Sequence, residues 1–91
     1  MKVFKYPLNS NDPMVKVPIG SKFLSVQAQK DRLMTWFLVD ELQMDYTYVL
    51  FVIIDTEQDV PNDIGDFVST VQMFEGSKSL HIFKSVNAEK E

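Results

Sequence analysis

The stretch 22–40, Lys-Phe-Leu-Ser-Val-Gln-Ala-Gln-Lys-Asp-Arg-Leu-Met-Thr-Trp-Phe-Leu-Val-Asp, constrains the fold more than any other part of the chain. Two runs rich in β-branched and aromatic residues flank the charged patch Lys30-Asp31-Arg32, the pattern of a β-hairpin. In the first run Leu24, Val26 and Ala28 alternate with Ser25, Gln27 and Gln29, so one face is apolar and the other wet. The second run is apolar on both faces: Leu33, Phe37 and Val39 on one, Met34, Trp36 and Leu38 on the other. Such a run belongs inside a sheet. The hairpin is therefore expected to be the stable centre of the fold, with Trp36 as a buried anchor. An outward Trp36 would instead mark an interface.

The rest of the chain reads the same way. Lys2–Tyr6 is a strand ended by Pro7, and Asn9-Ser10-Asn11-Asp12-Pro13 is turn chemistry. Met14–Val17 is a short strand stopped by Pro18 and Gly20. Tyr46–Asp55 is the longest strand and is apolar on both faces from Val49 to Ile54, so it is central or covered by a partner. Thr56–Asp63 is a polar loop, and Asp63-Ile64-Gly65-Asp66 is expected to make one helical turn capped by Asn62 or Asp63. Phe67–Phe74 and Ser79–Ser85 are strands joined by a tight turn through Gly76, and 86–91 is expected to be a frayed tail. Short strands at this spacing predict a single all-β domain over 1–91: a small antiparallel sandwich or barrel of six to seven strands.

Composition removes several classes of function. There is no cysteine, so no disulfide framework can form, which suits the cytosol. The opening Met-Lys-Val-Phe-Lys lacks the apolar core of a signal peptide, and the longest apolar run, 48–54, is far too short to span a bilayer. Charge is unevenly placed. Residues 1–32 carry a balance of +4, whereas 33–77 hold nine acids and no Lys or Arg. The whole chain carries −4. Acids gather in loops because Asp and Glu are rarely buried unless paired. Shared on one side, however, Asp40, Glu41, Asp45, Asp55, Glu57, Asp59, Asp63 and Asp66 would form a binding surface.

No catalytic constellation stands out. His81 is the sole histidine and cannot assemble a two-histidine metal site; its place in a strand reads as structural or surface-polar. Ser and Asp abound, but no nucleophile elbow marks one of them. Asp55, Glu57 and Asp59 superficially resemble a calcium loop. An EF-hand needs Gly at its sixth position and Glu at its twelfth, where this chain has Val60 and Asp66. Neither a metal nor an organic cofactor is expected. Lys2, Lys5, Lys16, Lys22, Lys30 and Arg32 with nearby Phe4, Tyr6 and Phe23 could bind single strands. Net acidity opposes that, and alternating Lys also protects edge strands, so direct nucleic-acid binding is not expected.

Several short motifs run in order along the chain: Lys5-Tyr6-Pro7-Leu8, Pro18-Ile19-Gly20-Ser21, Leu24-Ser25-Val26-Gln27-Ala28-Gln29, Trp36-Phe37-Leu38-Val39-Asp40, Thr70-Val71-Gln72 and Leu80-His81-Ile82-Phe83. Together they resemble a family of small proteins from tailed phages and prophages, with the pattern KYPL, P-x-G-A, L-x-V-Q-x-Q, W-x-L-V-D, G-T-x-Q and H-x-F. The resemblance spans residues 2–84. It departs at Ile54-Asp55-Thr56-Glu57, where many relatives have a Gly-Thr-Gly-His-like segment. The resemblance implies a phage-encoded accessory protein and brings no activity with it. The leading expectation is a non-enzymatic protein of the host cytoplasm that binds and inhibits a host defence protein through the eight acids named above. A signalling-nucleotide binder would instead use Lys22, Lys30, Arg32 or Lys78. A structural or assembly protein would self-associate through strand 48–54.

Overall fold

β-Branched and aromatic runs become seven antiparallel strands in the computed structural model, which describes residues 1–85. They are β1 (Lys2–Pro7), β2 (Met14–Pro18), β3 (Lys22–Gln29), β4 (Arg32–Val39), β5 (Tyr46–Asp55), β6 (Asp66–Met73) and β7 (Lys78–Lys84). The stretch 86–91, expected to fray, lies outside the described residues. β1, β4 and β3 form a three-stranded sheet in that order, and β2, β5, β7 and β6 a four-stranded one. The two sheets face each other as a sandwich, which decides between sandwich and barrel. β4 is the central strand of its sheet, as its two apolar faces require. β5 is also internal: residues 46–50 pair with β2 and residues 51–55 with β7. Among the described residues, no helix is long and apolar enough to cross a membrane.

The core is sealed by rings from both sheets. Phe37 is wholly buried, with Tyr6 at 5.7 Å and Phe23 at 5.5 Å between ring centres, both edge-on. Phe23 in turn meets Phe51 of the opposite sheet at 5.4 Å. Val26, Val39, Val17, Val49 and Ile82 fill the space around them. Thr35 is the one buried polar side chain among the described residues, and its hydroxyl donates to the Tyr6 carbonyl at 3.0 Å.

Three expectations are corrected. The first concerns Trp36. The inner row of β4 is Leu33, Thr35, Phe37 and Val39, so alternation turns Met34, Trp36 and Leu38 outward. Trp36 is only half-buried, on the outside of the three-stranded sheet. Its volume is not needed inside, because Phe37 and Phe51 occupy the core and the partly buried Phe23 packs against them.

The second concerns Leu24, which does not share a face with Val26. Opposite β4, Phe23 pairs with Phe37 and Ser25 with Trp36, so Leu24 is the extra residue of a β-bulge and is 44% exposed. The bulge turns the larger Phe23 toward the core in its place, where it packs partly buried against Phe37 and Phe51.

The third concerns 63–66, where no helical turn forms. Gly65 has φ +99, outside the helical region, and β6 begins at the next residue.

Two tight hairpins align the strands. Lys30 and Asp31, with φ of 52 and 61, make the two-residue turn between β3 and β4. Phe74, Glu75 and Gly76 all have positive φ between β6 and β7. The tips of these hairpins are tied: the Asp31 carboxylate accepts the Phe74 N–H at 2.7 Å.

These placements give two stability predictions. Phe37→Ala should cost about 3–5 kcal/mol in urea unfolding, whereas Trp36→Ala should cost less than about 2 kcal/mol. Gly20→Ala and Gly65→Ala both force a side chain into positive φ, at 87 and 99. A Cβ at Gly20 meets open space, but at Gly65 it would overlap the Lys84 carbonyl. Gly20→Ala should therefore cost about 1–2 kcal/mol and Gly65→Ala at least about 1 kcal/mol more.

Candidate functional site

Every second residue of β5 points away from the core. The inward series is Thr47, Val49, Phe51 and Ile53; the outward series is Tyr46, Tyr48, Leu50, Val52 and Ile54, of which Ile54 is itself buried. A sheet with one wet face would carry polar residues on that outer series. This one is apolar and aromatic instead. Its neighbours extend the pattern: Met14 lies opposite Leu50, and Phe83 opposite both Val52 and Phe67. Phe67 and Phe83 pack edge-on at 5.5 Å. Phe67 remains 59% exposed, Tyr46 53% and Tyr48 49%. The strands place a single charged side chain on this face, Lys16, whose ammonium lies 5.4 Å from the centre of the Tyr46 ring.

The β7 end of the face is polar. His81 lies opposite Ile54 and Thr70. Its Nε2 is 2.8 Å from the Thr56 hydroxyl and its Nδ1 is 2.9 Å from the Thr70 hydroxyl. A hydroxyl both donates and accepts, so the two threonines satisfy both ring nitrogens whichever of them carries the hydrogen. The ring forms one wall of a shallow cavity of about 210 Å³ with Ile54, Val60, Phe67 and Phe83. With both nitrogens engaged, His81 serves here to fix the β5–β6 loop to the sheet.

The eight acids expected to form one binding surface fall into separate groups, all exposed. Asp40, Glu41 and Asp45 lie in the loop before β5; Asp55, Glu57 and Asp59 lie at and beyond its other end. The strand from Tyr46 to Ile54 separates the two groups, roughly 30 Å. Asp63 follows in the same loop, and Asp66 starts β6 beside Lys84. Asp55 is bridged to Lys78 at 3.4 Å. Glu41 accepts from the N-terminal ammonium at 3.5 Å and from Lys2 at 3.6 Å. A backbone hydrogen bond, then the N-terminal and Lys2 charges, hold its carboxyl below the usual range. Among the described residues, no three His, Asp or Glu side chains gather as a metal site would need.

The outer face is what sequence reading missed in part. The two apolar faces of 48–54 signalled it for Tyr48, Leu50, Val52 and Ile54. Phe67 joins them only because Val68 is the extra residue of a second β-bulge, which periodicity does not show.

Fold and faces together define a small two-sheet, all-β sandwich whose distinguishing surface is an aromatic sheet face exposed at Tyr46, Tyr48 and Phe67. A family model described as Domain of unknown function (DUF7352) matches residues 1–91, and the chain belongs to that family. No curated protein and no solved structure matches it.

One titration follows from the packing. Burial pushes the Tyr6 phenol above its ordinary value of 10.0, and nearby Tyr46 adds to the shift. The folded state therefore holds this proton more tightly than the unfolded chain does. The associated stability is complete below 10.0 and is lost as pH rises through the folded value. Urea midpoints taken across this range should fall more steeply for the wild type than for Tyr6→Phe.

Proposed function

We propose that the protein is a non-enzymatic accessory protein that acts by binding another protein through the outer face of the four-stranded sheet. The observation that carries this reading is the exposure of Tyr46, Tyr48, Met14 and Phe67 on one face to which the strands contribute a single charged residue. Contiguous apolar surface of this kind is disfavoured in a free monomer, and Tyr, Phe and Met are the types enriched in interface centres. The acids at the two ends of β5 would act as a polar rim. Asp40, Glu41 and Asp45 at one end, with Asp55, Glu57 and Asp59 at the other, favour a partner that is basic around its own apolar centre.

The resemblance to tailed-phage proteins directs the choice of partner to a protein of the bacterial host cytoplasm, with inhibition of host defence as the consequence. The test is capture from bacterial lysate on immobilised wild type and on Tyr48→Glu and Phe67→Glu, each verified to melt within a few degrees of wild type. Hot-spot residues cost about 2 kcal/mol or more when lost. A host protein enriched at least about tenfold on wild type over both variants is the expected result. Equal recovery on all three would contradict the reading. A wild type that is dimeric, with variants that are monomeric, would give the face to a second copy and overturn the host-protein assignment.

A further inference from the structure

The opposite side of the sandwich has a different chemistry. Alternation turns Arg32, Met34, Trp36 and Leu38 of β4 outward on the three-stranded sheet. Register then places Lys5 beside Trp36 on one flank and Lys22 beside Leu38 on the other. Ser25, Gln27 and Gln29 complete the β3 side. Lys5 reaches across to donate to the Gln29 side chain at 2.8 Å. Lys5, Gln29, Lys30, Arg32 and Met34 line an open cleft of about 440 Å³.

Within the strands this face carries no acid. The acids at the ends of β4 are engaged elsewhere: Asp31 accepts the Phe74 N–H, Asp40 accepts the Leu42 N–H, and Glu41 meets the N-terminal ammonium and Lys2. Seven of the thirteen acids lie at or beyond the ends of β5, and Asp31 is the one acid between Lys30 and Arg32, so the net charge of −4 is not spread evenly over this surface.

We propose that this face binds single-stranded nucleic acid, with phosphates on Lys5, Lys22, Lys30 and Arg32 and a base stacked on Trp36. The cations of this face are spread along the strand direction. From Arg32 to Leu38 is roughly 20 Å, which suits a polymer track better than a mononucleotide pocket. Base faces are open to stacking only in unpaired strands, and a basic sheet with a central aromatic ring is how such strands are held. The site lies on the sheet opposite the protein-binding face, so it stands or falls separately from that reading.

Trp36 is the sole tryptophan, so its emission reports directly on stacking. The test titrates the full chain at low salt with unlabelled oligo-dT and follows quenching. Inorganic polyphosphate, a mononucleotide and duplex DNA of equal phosphate concentration are the comparison arms. Saturable quenching by oligo-dT that weakens with salt is expected, with at least tenfold weaker binding of the mononucleotide and the duplex. Lys5→Gln with Arg32→Gln should lower the salt slope by about 1.4, or about 0.7 for each phosphate contact. Trp36→Ala, followed by anisotropy of labelled oligo-dT, should lose roughly five- to 150-fold in affinity. Lys16→Gln, on the other sheet, should change affinity by less than about twofold.

Absence of oligo-dT binding at low salt overturns the proposal. So does polyphosphate that binds as tightly as oligo-dT, because the surface would then read charge alone. A Lys16→Gln effect as large as that of Lys5→Gln would equally remove the assigned face.

Discussion

Contact between Phe23 and Phe51 is the interaction on which the structure depends. Phe23 sits on an edge strand of one sheet and Phe51 on an internal strand of the other, with rings 5.4 Å apart. Phe37 and Tyr6 extend the cluster across the three-stranded sheet. A chain of 91 residues has little interior, and rings deliver more buried area per position than any aliphatic side chain. With these rings inside, both sheets can present other chemistry outside. Trp36 is outward for that reason, and so are the aromatic residues of β5.

Two β-bulges shape the faces. One at Leu24 turns Phe23 inward and leaves Ser25, Gln27 and Gln29 on the basic side. One at Val68 turns Phe67 outward beside Phe83 while Val71 and Met73 remain in the core. Both lie on edge strands, β3 and β6, which approach each other where the sheets meet. Bulged edges twist away from further strand pairing, which blunts β3 and β6 as pairing edges.

All seven strands were legible in the sequence to within about a residue, because Pro, Gly and Asx clusters bracket period-two runs. The internal positions of β4 and β5 were legible too, from their two apolar faces. Which face of β4 is the inner one was not. Leu33, Phe37 and Val39 compete with Met34, Trp36 and Leu38 on nearly equal terms, and Thr35 in the inner row argues the wrong way. Its hydrogen bond to the Tyr6 carbonyl resolves the conflict, and that partner is 29 residues away in sequence. The acidic segment was legible as composition only, since the length of β5 separates its two ends. The basic face was partly legible: Lys5, Lys22, Lys30 and Arg32 share a side, but Phe4, Tyr6 and Phe23 register on the inner face, Lys2 pairs with Glu41, Lys16 belongs to the other sheet, and Trp36 was assigned to the core.

The central claim is that aromatic contact between the sheets, made by a bulge-rotated Phe23, holds the sandwich together and frees both outer faces. A double-mutant cycle on Phe23→Leu and Phe51→Leu tests it most directly, with unfolding free energies measured for all four proteins. Rings in contact couple by about 0.5–1.5 kcal/mol beyond the area they bury. A coupling in that range is the predicted result. Additive losses, with coupling below about 0.3 kcal/mol, would mean that Phe23 does not meet Phe51, and the bulge, the register of β3 and the assignment of both faces would be contradicted together.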